Sequence, residues 1–449
     1  MTDLSDTLFT SPEMAAVFSG ATFVQRMLDF EAALARAQAA AGVIPQGAAD
    51  AIAAQCRAEQ FDAAALFRDA ADAGTAAIPL VRRLTDLLDG DVRGFVHWGA
   101  TSQDVIDTAT MVQIRDGLGL LTGGLGSLAS ACAALADHHR HTPMAGRTLL
   151  QHAVPITFGL KAARWLGMTT RLISRLSDLR EHACVVQLGG AAGTLAAMGD
   201  RGLEVMESVA GQLGLGVPEL PWHAERDRIA EIASALGTAA GAMGKIATDL
   251  ILLSQTEIGE ASPGAPGTSS AMPQKRNPVE ATNGLACARL AIAQVPVVLA
   301  AMVHEHERSA GEWQPEWQAI PDLFRFTAGA VRWVERAVSG LQVDAGRMRG
   351  NLELTHGLIM AESLTMALAS KIGRPEAYRV VQRLTEDAAK KGTSLREAAA
   401  SDGRVGDILP AAEIDRALDA AAYRGSTDAF IDRALQAFHT LQSPAGGRR

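Results

Sequence analysis

The sequence predicts an all-α protein organised around a central bundle of long helices. Three observations carry that prediction. Apolar residues recur at three- and four-residue steps, as in Ile229, Ile232, Leu236, Ala240, Met243, Ile246, Leu250 and Leu253, which is the period of one helix face. Two-residue alternation, the mark of half-buried strands, is almost absent. Aromatics are few, with six Trp, two Tyr and twelve Phe, so packing falls to Ala, Leu and Gly, which let helices approach closely over many turns.

The elements follow in chain order. Residues 1–105 read as an N-terminal helical domain, ending in the polar, turn-rich segment 91–104. Residues 106–365 read as the bundle, with helices expected over roughly 112–140, 155–182, 227–260, 279–307 and 321–350. At 1.5 Å per residue the 227–260 helix would be ~50 Å long, and its apolar positions fall on more than one face. One chain alone cannot cover such a helix, so an oligomer is expected. Pro296 is placed to kink the fourth helix. Gly373-Arg374-Pro375 opens a C-terminal domain of shorter helices (366–449), whose end from Ser443 reads as a disordered tail.

Bulk properties narrow the function. A chain of 449 residues exceeds one core, and 48% hydrophobic against 20% charged residues makes it globular. The net charge of −9, without a long basic run, disfavours nucleic acid and anionic membrane as partners. Cys56, Cys132, Cys184 and Cys287 have no paired spacing and read as reduced thiols, which points to the cytoplasm. The first eleven residues lack the basic and apolar regions of a leader. No uncharged apolar stretch of membrane-spanning length is expected.

Chemistry concentrates in four segments. Gly267-Thr268-Ser269-Ser270-Ala271-Met272-Pro273-Gln274-Lys275-Arg276-Asn277-Pro278 sets Ser269, Lys275 and Asn277 on a loop, with Gly264, Pro266 and Gly267 as a hinge. Asn277 reads as an N-cap and Pro278 as the first helical residue; a polar loop anchored on a long helix suits an active-site lid. In His97-Trp98-Gly99-Ala100-Thr101-Ser102-Gln103-Asp104, the Thr101 and Ser102 hydroxyls lie close to a helix start, where they either bind a carboxylate with backbone N–H groups or simply cap. Gln151 and His152 precede a helix expected near Pro155 and either line the site or serve the fold. Arg226 either binds a substrate carboxylate or pairs with Asp227 or Glu231 on a solvated face. His304-Glu305-His306-Glu307 lacks the i, i+4 histidine spacing of helical zinc sites, so no metal is expected.

With those residues quoted, the chain resembles the fumarase/aspartase superfamily over almost its full length. Ser269–Pro278 is similar to that family's serine loop, and Thr101-Ser102 and the 148–155 segment are similar to its two other active-site segments. Leu8-Phe9-Thr10-Ser11-Pro12-Glu13-Met14, the His97–Asp104 run (with His97 as a substrate-binding residue) and Glu305-His306-Glu307-Arg308 with Trp313-Gln314-Pro315-Glu316-Trp317 resemble the 3-carboxy-cis,cis-muconate cycloisomerase branch. Adenylosuccinate lyase is the neighbouring branch. The resemblance implies three helical domains, a homotetrameric core, active sites shared between subunits, a small tricarboxylate substrate and no cofactor. It also implies Ser269 and Lys275 as catalytic residues, with Thr101, Ser102, Gln151, His152, Asn277, His97 and Arg226 binding substrate.

Two departures carry chemical information. The lyases place a histidine after the threonine at Thr148 and a glutamate a few residues past the Asn-Pro pair; here those places hold Leu149 and Thr282. A lyase expelling water, ammonia or an amine needs that proton relay. A carboxylate, with a conjugate-acid pKa of about 4, needs no protonation to leave. Losing both partners together therefore fits lactonisation better than an amine lyase, and the retained Ser269, Lys275 and Asn277 count against a catalytically idle scaffold.

Overall fold

The structure is a computed structural model that describes residues 4–265 and 267–442. The expected tail from Ser443, Pro266 of the loop and residues 1–3 lie outside the described residues. The protein is predominantly helical. Its five longest helices are α1 (Ser102–His138), α2 (Phe158–His182), α3 (Asp227–Leu253), α4 (Val279–Ala300) and α5 (Gln314–Ser339). All eight residues of the apolar stripe on α3 are buried, none more than 4% exposed. Packing through small residues is visible at Gly237, where an added Cβ would stand 2.6 Å from Val295.

The helix boundaries differ from expectation for local reasons. α1 starts ten residues earlier, at Ser102, because the Asp104 carboxylate accepts the Thr101 N–H at 3.0 Å and closes the first turn. α2 begins at Phe158 rather than near Pro155. In its place stands a hairpin, β1 (Pro143–Thr148) against β2 (Gln151–Thr157), with Pro155 opposite Ala145. The Thr157 hydroxyl accepts the Leu160 N–H at 3.1 Å and sets the start of α2. α3 stops at Leu253, where Ser254 Oγ donates to the Ile251 carbonyl and the Glu260 N–H returns to Leu253 O. α4 carries Pro296 in its interior but ends at Ala300, leaving 301–313 irregular. The helix expected over 321–350 is two: α5, with Pro321 inside it, and Ala345–Glu353, capped by Asp344.

Contacts divide the chain into two compact units, 1–125/172–245/283–333 and 126–171/246–282/334–449, with boundaries falling inside the five long helices. The first unit contains Gly20–Ala40, the most buried N-terminal helix, and the segments around Thr101, Arg226 and Arg308. In the second, Leu364, Leu368, Val380, Leu384 and Leu395 form a core among the C-terminal helices. A smaller cluster joins Ala145 of the hairpin to Leu352, Ile359 and Met360. The four cysteines are free and buried.

One reading of the sequence needs correction. α1, α3 and α4 are each long and apolar enough to cross a membrane by length and composition; residues 117–136 of α1 carry no charge. The apolar window of α4 is only 28% buried, and Leu290, Ile292, Val297 and Leu299 stand exposed along it.

Candidate active site

The segment at Thr101 is built around one buried carboxylate. Asp104 Oδ2 accepts the N–H groups of Thr101 (3.0 Å) and Gly190 (2.9 Å), while Oδ1 accepts the Gly189 N–H (2.9 Å) and His223 Nε2–H (2.7 Å). Gly190 is held at φ +71, and an added Cβ would lie 2.8 Å from the Gly99 carbonyl, so only glycine fits. This carboxylate pins the turn before α1 to the 189–190 segment. Gln103 donates to the His223 carbonyl and to Asp107.

Arg308 completes this segment, and sequence reasoning missed it. Its guanidinium donates to Thr101 Oγ1 (3.3 Å), Gln103 Oε1 (3.2 Å) and the Gly190 carbonyl (3.4 Å). It is exposed, so a fixed cation stands beside the Thr101 hydroxyl and the start of α1, where Ser102 is the first helical residue. Cation, hydroxyl and helix N-terminus together suit a carboxylate. The signal lay in the Glu305–Arg308 run, which was weighed for metal and carried part of the family resemblance while Arg308 itself was given no role. The run is irregular, with His306 at φ +50, and among the described residues no cluster of three potential ligands has metal-binding geometry.

His97 stands behind the turn at φ +57 with Nδ1 2.6 Å from Glu31 Oε1. Burial, the largest single effect, pushes its pKa down; the Glu31 charge and hydrogen bond, with Asp104 beyond, push it up further, and the net direction is up. His97 thus supports the Thr101 turn through its contact with Glu31.

Arg226 is a correction. It is 2% exposed and its five donors are taken: Asp107 accepts two bonds (2.7 and 3.1 Å), Glu316 two more (3.1 and 2.5 Å) and the Trp222 carbonyl the fifth (3.5 Å). Its partners are neither Asp227 nor Glu231, and no donor is left for a substrate. Burial raises the Glu316 pKa against the opposing pull of Arg226. Trp313 Nε1 donates to Asp107 at 2.9 Å, so the group is a buried clamp joining α1, the start of α3 and α5.

In the second unit, Gln151 and His152 open strand β2, paired with Thr148 and Arg147. Adjacent strand residues face opposite ways, so the two cannot present side chains to one ligand from the same face. Arg147 anchors the hairpin through a bidentate pair to the fully buried Glu260 (2.7 and 2.8 Å), which also accepts from Asn351. Burial, then Arg147, lowers the His152 pKa, with Glu260 opposing, and its Nδ1 has no partner. Between the strands Leu149 and Leu150 both adopt left-handed backbone, φ +51 and +62, and are 96% and 75% exposed.

The serine loop is pinched shut at its base. Gly267 N–H donates to the Asn277 carbonyl (3.0 Å) and Asn277 N–H returns to Gly267 (3.2 Å). A Cβ on Gly267 would lie 2.1 Å from Val279, so this glycine serves close approach rather than a hinge. Ser269 Oγ accepts the N–H groups of Met272 (3.0 Å) and Ala271 (3.3 Å), and Lys275 is exposed on the same loop. α4 begins at Val279, so Pro278 precedes the helix instead of opening it, and Asn277 belongs to the bridge. Thr282 donates its hydroxyl to the Pro278 carbonyl.

Comparison with known proteins fixes the family. A model described as lyase matches residues 8–295, and one for the adenylosuccinate lyase C-terminus matches 357–434. The chain belongs to the fumarase/aspartase lyase superfamily. It is 47% identical over 434 residues to a 3-carboxy-cis,cis-muconate cycloisomerase of Bradyrhizobium diazoefficiens, covering 95% of this chain and 96% of that one. It is 46% identical to the Pseudomonas aeruginosa protein of that name, with 98% and 97% covered. The crystal structure of 3-carboxy-cis,cis-muconate lactonizing enzyme from Pseudomonas putida superposes with a TM-score of 0.92 at 43% identity, over 98% of this chain and all of that one. The lyase-superfamily fold is therefore common to both, and the likeness to these cycloisomerases is high and near full length.

Proposed function

We propose that this enzyme lactonises 3-carboxy-cis,cis-muconate to 4-carboxymuconolactone, a step in the breakdown of protocatechuate. One substrate carboxylate oxygen adds across the conjugated double bond, forming the ring C–O bond. The displaced π electrons pass to the neighbouring carbon and its carboxylate as an aci-carboxylate. Protonation of that carbon then converts a trianion into a lactone dianion, so the balance is one proton taken up. Ser269 delivers that proton. The Ala271 and Met272 N–H groups on its oxygen stabilise the alkoxide left behind, and Lys275 and Asn277 stabilise the developing oxyanion. In the assembled oligomer, Thr101, Ser102 and Arg308, on the turn supported by His97, hold a second carboxylate, and Gln151 or His152, whichever faces the substrate, completes the site.

The observation that carries this reading is near-full-length likeness to cycloisomerases in a chain with Leu149 and Thr282 where the lyases hold their relay. Leu149 stands at an exposed hairpin tip and Thr282 is tied to its own helix, so neither position supplies an ionisable group. An adenylosuccinate-type lyase would need one.

The assembly is a homotetramer with sites shared between subunits, around three domains at 1–105, 106–365 and 366–449. Exposed apolar residues on two sides of α4 support it, since Leu290 and Val297 on one side and Ile292 and Leu299 on the other call for a cover from other copies. Buried free thiols suit the cytoplasm. The deciding experiment is an ultraviolet assay with fresh 3-carboxymuconate, comparing the wild type with Ser269→Ala and Leu149→His. Loss of lactone formation in Ser269→Ala with oligomer mass unchanged is expected; near-normal turnover there, or a large gain on placing histidine at Leu149, would overturn the mechanism. Fumarate release from adenylosuccinate would overturn the substrate.

A further inference from the structure

In a chain only 4% aromatic, five rings line a single cavity of about 400 Å³ within the first unit: Phe18, Phe23, Phe67, Trp313 and Trp317. Trp313 and Trp317 meet edge to face, with centroids 4.8 Å apart, and Trp317 stays 37% exposed. Concave, mostly apolar walls with a few polar atoms are the usual make-up of a small-molecule site. The charged lining residues are of one sign. The lining includes no Lys, Arg or His but does include the carboxylates Asp107 and Glu316, so a carboxylate ligand is repelled and this is not a second substrate site. Arg226 offsets only one of their two charges, but every oxygen of the pair already accepts from Arg226, Gln103 or Trp313, so neither carboxylate offers an open partner to an ammonium group. Thr75 is among the lining residues, and its Oγ1 is buried without a hydrogen-bond partner.

We infer that this cavity binds an uncharged aromatic molecule of one or two rings carrying a single hydroxyl or N–H donor, its ring among the five aromatic side chains and its donor on Thr75. The site lies next to the clamp that ties Asp107 to Arg226, one helical turn beyond Asp104 and the Thr101 turn. It is independent of the lactonisation reading; either can fail without the other.

Calorimetric titration of the full-length protein with indole and with phenol tests the inference, with benzoate as the anionic control. Saturable binding of at least one probe at a Kd near or below ~1 mM is expected, with benzoate at least tenfold weaker. Ala71 is an exposed lining residue, so Ala71→Trp fills the cavity without disturbing the core and should weaken binding at least tenfold. Thr75→Val keeps the shape, removes the hydroxyl and should weaken binding about three- to tenfold. No saturable heat with either probe, equal affinity for benzoate, or unchanged binding in both variants would overturn it.

Discussion

Replacing Asp104 by Asn tests whether one buried carboxylate organises the Thr101 turn. The carboxylate accepts four hydrogen bonds, two on each oxygen, and an amide retains only one acceptor. The least costly orientation turns the new Nδ2 toward His223 and Gly189. His223 can then move its proton to Nδ1 and accept with Nε2, but the Gly189 N–H is left facing another N–H. One orphaned buried donor costs about 1–3 kcal/mol. The two bonds kept on the remaining oxygen lose charge assistance, which about halves their strength. The sum is about 2–4 kcal/mol, because the site is too buried for water to rescue it. Thermal and urea melts at matched protein concentration should show a clear loss in midpoint. Turnover should fall by tenfold or more, since the Thr101 hydroxyl and Arg308 lose their common support. A melt shifted by less than the equivalent of ~0.5 kcal/mol, with normal kinetics, would refute the idea that this carboxylate holds the turn.

The remaining expectations are narrower. Arg308→Lys keeps the charge but loses the planar donor set, so KM should rise more than kcat falls; equal KM in steady-state assays would remove Arg308 from substrate binding. Because the folded-state pKa of His97 is raised, its pairing with Glu31 contributes stability in full below the ordinary value of 6.5, and that contribution is lost as pH rises through the folded value. Melts across pH 6–8 should therefore decline in the wild type relative to Glu31→Gln, and parallel curves would contradict the pair. Burial pushes the thiols of Cys132, Cys184 and Cys287 up to about 12 and raises Cys56 as well. A thiol-specific disulfide reagent should find no fast-reacting cysteine in the native protein and four after denaturation; a fast native reaction would contradict the burial.

What the sequence revealed and what it concealed divide by range. The helical stripe from Ile229 to Leu253 was legible because periodicity is a local property, and every member is buried. Arg226 was misread because its partners, Asp107 and Glu316, lie 119 and 90 residues away, while nearby Asp227 and Glu231 suggested a surface pair. The early start of α1 was hidden for the same reason, since Asp104 also answers to Gly189, Gly190 and His223. The hairpin escaped because its strands carry no clean alternation and its turn holds two leucines in place of the Asn-Gly that such turns favour. The serine loop was legible as a motif, yet its glycines serve close packing, Gly267 against Val279 and Gly264 against the Gly340 carbonyl, rather than hinging.

The leucine turn is held at a conformational cost. A left-handed conformation costs a non-glycine residue of order 1–2 kcal/mol, and two in succession double it. Ordinarily buried apolar surface would compensate, but Leu149 and Leu150 are almost wholly exposed. The isolated chain therefore holds strain and solvent-exposed hydrocarbon at one tip, while the bidentate Arg147–Glu260 pair and Asn351 rigidly fix the hairpin's base. Strain with no visible return, held on a firm support, is the pattern expected where a segment is shaped for something outside its own chain. Under the proposed lactonisation, the apolar tip at Leu149 is expected to serve in the assembled site as a wall against water rather than a route for protons. Lactonisation asks for such a wall, because its attacking and leaving group is already an ionised carboxylate.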